Sequence, residues 1–113
     1  MRLVVLVPAL LALSVEAAPP GTTTRMTPVA VELFTSQGCS SCPPADALIE
    51  KLAKEPNIVA ITRPVTYWDS LGWKDTLARE TNTVLQRRYA ARGGEGSGVY
   101  TPQAVVQGQM AAV

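Results

Sequence analysis

The stretch Val29-Ala30-Val31-Glu32-Leu33-Phe34-Thr35-Ser36-Gln37-Gly38-Cys39-Ser40-Ser41-Cys42-Pro43-Pro44 holds a strand, a turn and a helix start, with two thiols at the junction. Its first seven residues are apolar or β-branched apart from Glu32, and Pro28 and Gly38 bound them, which marks a buried strand. Pro43 and Pro44 are tolerated only in a first helical turn, because each lacks an amide hydrogen and its ring crowds the carbonyl four residues back. They fix a helix start beside the cysteines. Ala45, Leu48, Ile49, Leu52 and Ala53 then recur at helical spacing, and Pro56-Asn57 supplies a stop. The spacing predicts a helix from Ser41 or Pro43 to Lys54, its apolar stripe facing a sheet.

Outward from this stretch, strand and helix signals alternate. Ile58 to Thr62 reads as a second buried strand ended by Pro64, and the YWDSLGWKD segment that follows has no clear period. It is expected to be an irregular loop or a short helical turn. Thr76 to Ala91 reads as a helix with Leu77, Val84, Leu85 and Tyr89 on one face and Arg79, Glu80, Arg87 and Arg88 mostly outward. GGEGSG at 93–98 ends it as a loop. Val99 to Val106 is extended, Gln107-Gly108-Gln109 turns, and Met110 to Val113 returns. The order β-α-β-α-β-β predicts an α/β fold: a parallel β-α-β unit closed by an antiparallel hairpin, the skeleton of a thioredoxin-like three-layer domain. Such a domain ends in a helix over its hairpin, and this chain stops at Val113 inside the last strand. The expectation is a thioredoxin-like fold incomplete at its C-terminus, with the final helix missing.

Composition narrows the chemistry. A chain of 113 residues with 47% hydrophobic positions fits one small domain. Its net charge of +1 leaves no broad basic surface for phosphates, so nucleic acid is not an expected partner. With no histidine, the Ser-His-Asp triad, the Cys-His pair and His-ligated zinc are excluded. Two cysteines are too few for a four-cysteine metal site, yet they form one redox pair when close.

Met1-Arg2 and the apolar run Leu3 to Leu13 have the form of a secretory leader too short to span a bilayer. Val15-Glu16-Ala17 predicts cleavage after Ala17, with Ala18 as the alternative. Residues 1–17 are thus read as a signal peptide, 18–28 as a Pro- and Thr-rich flexible linker, and 29–113 as the domain. The expected location is periplasmic or secreted, with no stable membrane insertion after cleavage.

Two thiols spaced by two residues at a strand-to-helix turn lie near the positive end of the helix dipole, which favours a thiolate. Cys39 is the expected attacking sulfur, the more exposed of the two, and Cys42 the resolving thiol one turn deeper. Ser40 and Ser41 are placed to satisfy helix amides or to hydrogen-bond the thiolate. With Cys42 as N-cap and Pro43 as the first helical residue, Cys39 lies outside the helix and feels a weaker dipole. In a thioredoxin-like domain a proline before the late strand faces the dithiol, commonly in cis, and the residue before it pairs with an extended substrate. Thr101 and Pro102 occupy that place and are the expected substrate-binding residues. Glu32 and Asp46 are candidates for a proton relay to Cys42, with a strand-edge salt bridge as the alternative for Glu32. Tyr67, Trp68 and Trp73 wall a peptide groove or simply pack a long loop. No cofactor or metal is expected, although two thiolates alone also suit a soft ion such as copper(I).

VELFTSQGCSSCPPADALIEKLA, YWDSLGWKD and VYTPQAVVQGQ together resemble the secreted thioredoxin-like family known as domain of unknown function 1223, over about residues 29 to 113. The resemblance implies a thioredoxin-like fold with the dithiol at Cys39 and Cys42, and it supplies no substrate. Members of that family are longer, in line with a truncated chain. Where they carry His-Val-Asp before Tyr-Trp-Asp, this sequence has Pro64-Val65-Thr66 before Tyr67-Trp68-Asp69. The functional expectation is an exported thiol-disulfide oxidoreductase whose partners are protein or small-molecule thiols and disulfides. The competing expectation is a noncatalytic binding or structural module with a fixed Cys39-Cys42 disulfide.

Overall fold

The computed structural model describes residues 14–21, 24–93 and 97–111. The expected leader run Leu3 to Leu13, residues 94–96 of the expected 93–98 loop and residues 112–113 of the expected return strand lie outside the described residues. Residues 14–21 and 24–28 carry no regular secondary structure and are exposed, as a Pro- and Thr-rich composition without periodicity dictates.

The elements are β1 (Val29–Thr35), α1 (Pro43–Leu52), β2 (Ile58–Pro64), a single 3-10 turn (Asp69–Leu71), α2 (Glu80–Ala91), β3 (Gln103–Val106) and β4 (Gln109–Ala111). Together they make an α/β fold with one mixed sheet of order β2-β1-β3-β4. β2 runs parallel to β1, whereas β3 is antiparallel to β1 and β4 antiparallel to β3. β1 is therefore an inner strand paired on both sides, which accounts for its nearly continuous apolar sequence.

Because successive side chains of a strand point to opposite faces, β1 divides its residues between two layers. Phe34 joins Val65 and Val105 in a fully buried cluster, against which Tyr67, Trp68, Leu85, Tyr89 and Met110 pack. The Phe34 and Tyr89 rings meet edge to face at 6.1 Å. On the other face Val31 and Leu33 point toward α1, where with Leu48, Ile49, Ala104 and Val106 they line an apolar groove of about 510 Å³. The main core thus lies under α2, and the α1 layer is more open.

Several boundaries differ from the sequence expectation, each for a local reason. β2 continues through Pro64 and is an edge strand, with Val59 49% exposed, rather than a buried one. The helix expected from Thr76 begins only at Glu80. Asp75 is the cause: its carboxylate accepts the Leu77 amide and its carbonyl accepts the Ala78 amide, closing a turn there. Arg79 stays extended with its N–H on the Pro64 carbonyl. Leu77, expected on the buried helical face, is consequently exposed, and so is Val84. The buried residues of α2 are Asn82, Thr83 and Gln86, all polar. β3 is shorter than the expected Val99–Val106 run, and a two-residue turn at Gln107-Gly108 (φ +50° and +76°) joins it to β4. Two consecutive left-handed residues give the turn whose twist matches a hairpin.

Candidate functional site

The two cysteines sit in the connection between β1 and α1. Below Thr35 the backbone turns on itself: Ser36 accepts the Cys39 amide through its carbonyl at 3.1 Å and the Gly38 amide through Oγ at 3.0 Å. Cys42 donates its amide to the Cys39 carbonyl at 3.2 Å, and its own carbonyl receives the Asp46 amide at 3.0 Å. Cys42 is the N-cap residue of α1 without a side-chain cap, and Pro43 opens the helix. Cys39 therefore lies outside the helix, where the dipole is weaker.

Cys39 and Cys42 form a disulfide with Cα atoms 5.4 Å apart. The expected contrast in exposure is absent, since Cys39 is 2% and Cys42 0% exposed. Sequence spacing places the two thiols in one turn but carries no information about their burial. Ser41 Oγ is 3.6 Å from Cys39 Sγ, a sulfur hydrogen-bond distance. Asp46, one turn along α1, accepts the Thr35 hydroxyl at 2.6 Å. Thr35, Ser36, Asp46 and Asp75 share the lining of a cleft of about 260 Å³ beside the loop.

Residues 66–78 form a strap held against the residues that precede Cys39. At Gly38 a Cβ would lie 3.2 Å from Trp68 Cβ and 3.6 Å from its carbonyl oxygen, so a side chain there would push Trp68 back by a few tenths of an ångström. Asp75, 3% exposed, accepts the Gln37 amide through Oδ2 at 3.0 Å. Trp73 donates its indole N–H to Gln37 Oε1 at 2.9 Å. Trp68 also donates Nε1–H to Thr101 Oγ1 at 2.8 Å, which ties the dithiol loop to the Thr101-Pro102 segment. The Thr101-Pro102 peptide bond is cis. That segment is held from behind by two fully buried amides. Gln86 Nε2 donates to the Tyr100 carbonyl at 2.7 Å and to Gln103 Oε1 at 2.8 Å, and Gln103 Nε2 donates to the Gly98 carbonyl at 2.8 Å. Tyr67 completes the set by donating its hydroxyl to Gln86 Oε1 at 3.0 Å.

Glu32 and Asp46 point to opposite faces of the sheet and meet different surroundings. Asp46 stays with Thr35 on the α1 side, one turn from Cys42. Glu32 is tied on the α2 side, where Oε1 accepts Arg63 Nε at 2.9 Å and Nη2 at 2.8 Å, and Oε2 accepts the Tyr89 hydroxyl at 2.6 Å. Thr66 donates its hydroxyl to Glu80 and its amide to Thr83 Oγ1. Gln86, Gln103 and Asp75 were outside the sequence-derived candidate set. Hydrophobic periodicity gives no signal for them, because what they bury is polar.

The phenols provide a pH prediction. The hydrogen bond to Glu32, then burial and the carboxylate's charge, raise the Tyr89 pKa above 10.0. Burial raises that of Tyr67, against the opposing Arg87 charge. A group whose pKa is raised on folding lends stability below its unfolded value, here about 10, and loses it as pH climbs through the folded value. Stability should therefore fall above about pH 10. Phenolate absorbance of the wild type minus Tyr89→Phe should show a midpoint above 10.0, and a midpoint at or below that value contradicts the Glu32–Tyr89 contact.

Among the described residues there is no group of three or more His, Cys, Asp or Glu side chains able to hold a metal ion. With the two sulfurs bonded to each other, neither is free as a thiolate ligand. No helix among the described residues is long and apolar enough to cross a membrane.

Comparison with known proteins adds three findings. The family model described as "Protein of unknown function (DUF1223)" matches residues 30–113. A protein described as "Probable Thioredoxin" from Archaeoglobus fulgidus is 46% identical over 37 residues, 33% of this chain and 41% of that protein. A crystal structure of an Agrobacterium tumefaciens protein from a structural-genomics consortium superimposes with a TM-score of 0.65 at 48% identity, covering 71% of this chain and 36% of that one. The chain thus matches well under half the length of either relative.

Proposed function

The chain belongs to the DUF1223 family of proteins of unknown function, and we propose that it is an exported, thioredoxin-like thiol-disulfide oxidoreductase acting through Cys39 and Cys42. The carrying observation is the place of the disulfide, in the turn between the end of the inner strand β1 and Pro43 at the start of α1. Similarity to a probable thioredoxin supports the same reading. So does the sheet order, with its parallel β1–β2 pair and antiparallel β3–β4 hairpin.

In the reduced protein the Cys39 thiolate attacks one sulfur of a substrate disulfide, forming a mixed disulfide and expelling the other substrate sulfur as a thiolate. Cys42 loses its proton and attacks Cys39, which closes the Cys39–Cys42 bond and releases the second substrate sulfur. Two electrons pass to the substrate. Ser41, at 3.6 Å from Cys39 Sγ, hydrogen-bonds the attacking thiolate. Asp46 takes the Cys42 proton, since Glu32 is committed to Arg63 and Tyr89 across the sheet. Thr101 and Pro102, tied to the dithiol loop through Trp68, present the edge that receives the substrate backbone. Protein or small-molecule thiols and disulfides are the partners, and an exported compartment reached through the residue 1–17 leader suits a disulfide.

A second reading is a noncatalytic module with a fixed disulfide, favoured by the burial of both cysteines. Equilibration with glutathione buffers, followed by thiol trapping and mass measurement, separates the two. An exchange catalyst should give a potential of about −120 to −270 mV, whereas a pair more reducing than about −300 mV and inert in the folded chain belongs to the second reading.

A further inference from the structure

The oxidoreductase reading requires a thiol to reach Cys39, and Cys39 is 2% exposed. Only two residues separate Ser36 from Cys39, and both are held by the strap. Gln37 is fixed by its amide on Asp75 and by its side chain on Trp73, and Gly38 lies against Trp68. These holds are unequal. The Asp75 contact is to a buried carboxylate and the Trp68 contact is packing in the core rim. The Trp73–Gln37 bond lies in exposed surroundings, with Trp73 62% exposed. Next to Trp73, Gly72 sits at φ +105°, a left-handed position where the chain reverses without steric cost to a side chain. Residues 70–74 of the strap, Leu71 and Trp73 among them, are all exposed, so this part, up to the buried Asp75, is little anchored by burial.

We propose that Trp73 is a positioning residue that gates the disulfide: its indole hydrogen bond to Gln37 latches the outer strap onto the loop before Cys39, and Cys39 becomes open to attack when that latch releases. The inference rests on the exchange reading but concerns the rate of access rather than the potential. Breaking the latch raises the population of the open loop while leaving both sulfurs, Ser41 and the helix start in place. Reduction then speeds up and the equilibrium between disulfide and dithiol stays where it was.

The test is the reduction rate of the full chain by excess dithiothreitol, which reduces the pair whatever its potential. In that reaction a dithiothreitol thiolate bonds to Cys39 Sγ, the Cys39–Cys42 bond breaks, and its electron pair and a proton end on Cys42. The second dithiothreitol sulfur then displaces Cys39 as a thiolate and closes a cyclic disulfide. Trp73→Phe and Gln37→Ala remove the same bond from its two ends, and each is expected to be reduced about two- to tenfold faster than wild type. Leu71→Ala, on an exposed strap side chain, is expected to leave the rate unchanged. The glutathione potential should be the same in all four proteins. Latch variants reduced at the wild-type rate overturn the gate. An acceleration shared by Leu71→Ala, or matched by an equal loss of global stability, overturns it too. A potential more reducing than about −300 mV defeats the oxidoreductase reading alone, because the rate ratio is read independently of it.

Discussion

Replacing Gln86 with leucine is expected to lower the unfolding free energy by about 2–4 kcal/mol, since Gln103 Oε1 is left buried and unpaired at about 1–3 kcal/mol and the part-buried Tyr67 and Tyr100 groups add less. Leucine nearly matches the volume but removes one acceptor and two donors at a site with no solvent access. The Tyr67 hydroxyl, the Tyr100 carbonyl and Gln103 Oε1 all lose their bond at once. Such a loss is a large share of the roughly 5–15 kcal/mol that holds a small domain folded. Urea denaturation with an unchanged slope measures it. A change below about 1 kcal/mol would mean that these groups find other partners, and the account of the Tyr100–Pro102 segment as pinned from behind would be wrong. The effect should also reach the site, because the pinned segment carries Thr101, which receives the Trp68 indole.

The second large effect is on chemistry. In Cys42→Ser, the Cys39 thiolate still attacks a substrate disulfide but nothing resolves the product, so covalent Cys39–substrate adducts should accumulate and turnover should stop. Cys39→Ser removes the attacking sulfur and should form no such adducts. Non-reducing electrophoresis with mass analysis of the trapped species distinguishes the two variants. Adducts in Cys42→Ser alone support the assigned roles, adducts in Cys39→Ser alone reverse them, and silence in both removes exchange in favour of a fixed disulfide. Both variants need the protein in its reduced, singly substituted form, so their folding should be checked by circular dichroism first.

How far the sequence reached depends on what each element buries. β1, α1 and their junction were legible because they obey apolar patterning and proline sterics: Val29–Thr35 is an inner strand, and Pro43 opens the helix. The mixed sheet with a closing hairpin follows from the same element order. α2 was legible as a helix but not at its start, and its buried face was legible only in part. Asp75 and the Pro64 carbonyl capture the amides of residues 77–79, and hydroxyl and amide groups at Asn82, Thr83 and Gln86 take the inner face. An apolar-periodicity reading finds half of that face: Leu85 and Tyr89 pack against the core, whereas Leu77 and Val84 are exposed. The dithiol itself was readable from two letters in one turn. Its burial was not, because a two-residue spacing says nothing of what surrounds the turn, and the side chains that hold the neighbouring Gln37 and Gly38 come from the distant strap.

The polar inner face of α2 also bears on how stability varies with temperature. Unfolding raises heat capacity through newly wetted apolar surface and lowers it through newly wetted polar surface. A layer that buries Glu32, Asn82, Thr83, Gln86 and Gln103 beside a small apolar cluster sets these terms against each other. The heat-capacity increment per residue therefore falls below that of a domain of equal length sealed by aliphatic side chains. Its stability curve is flatter, and cooling erodes the fold less, because less of what holds this layer together is the hydrophobic term that weakens in the cold.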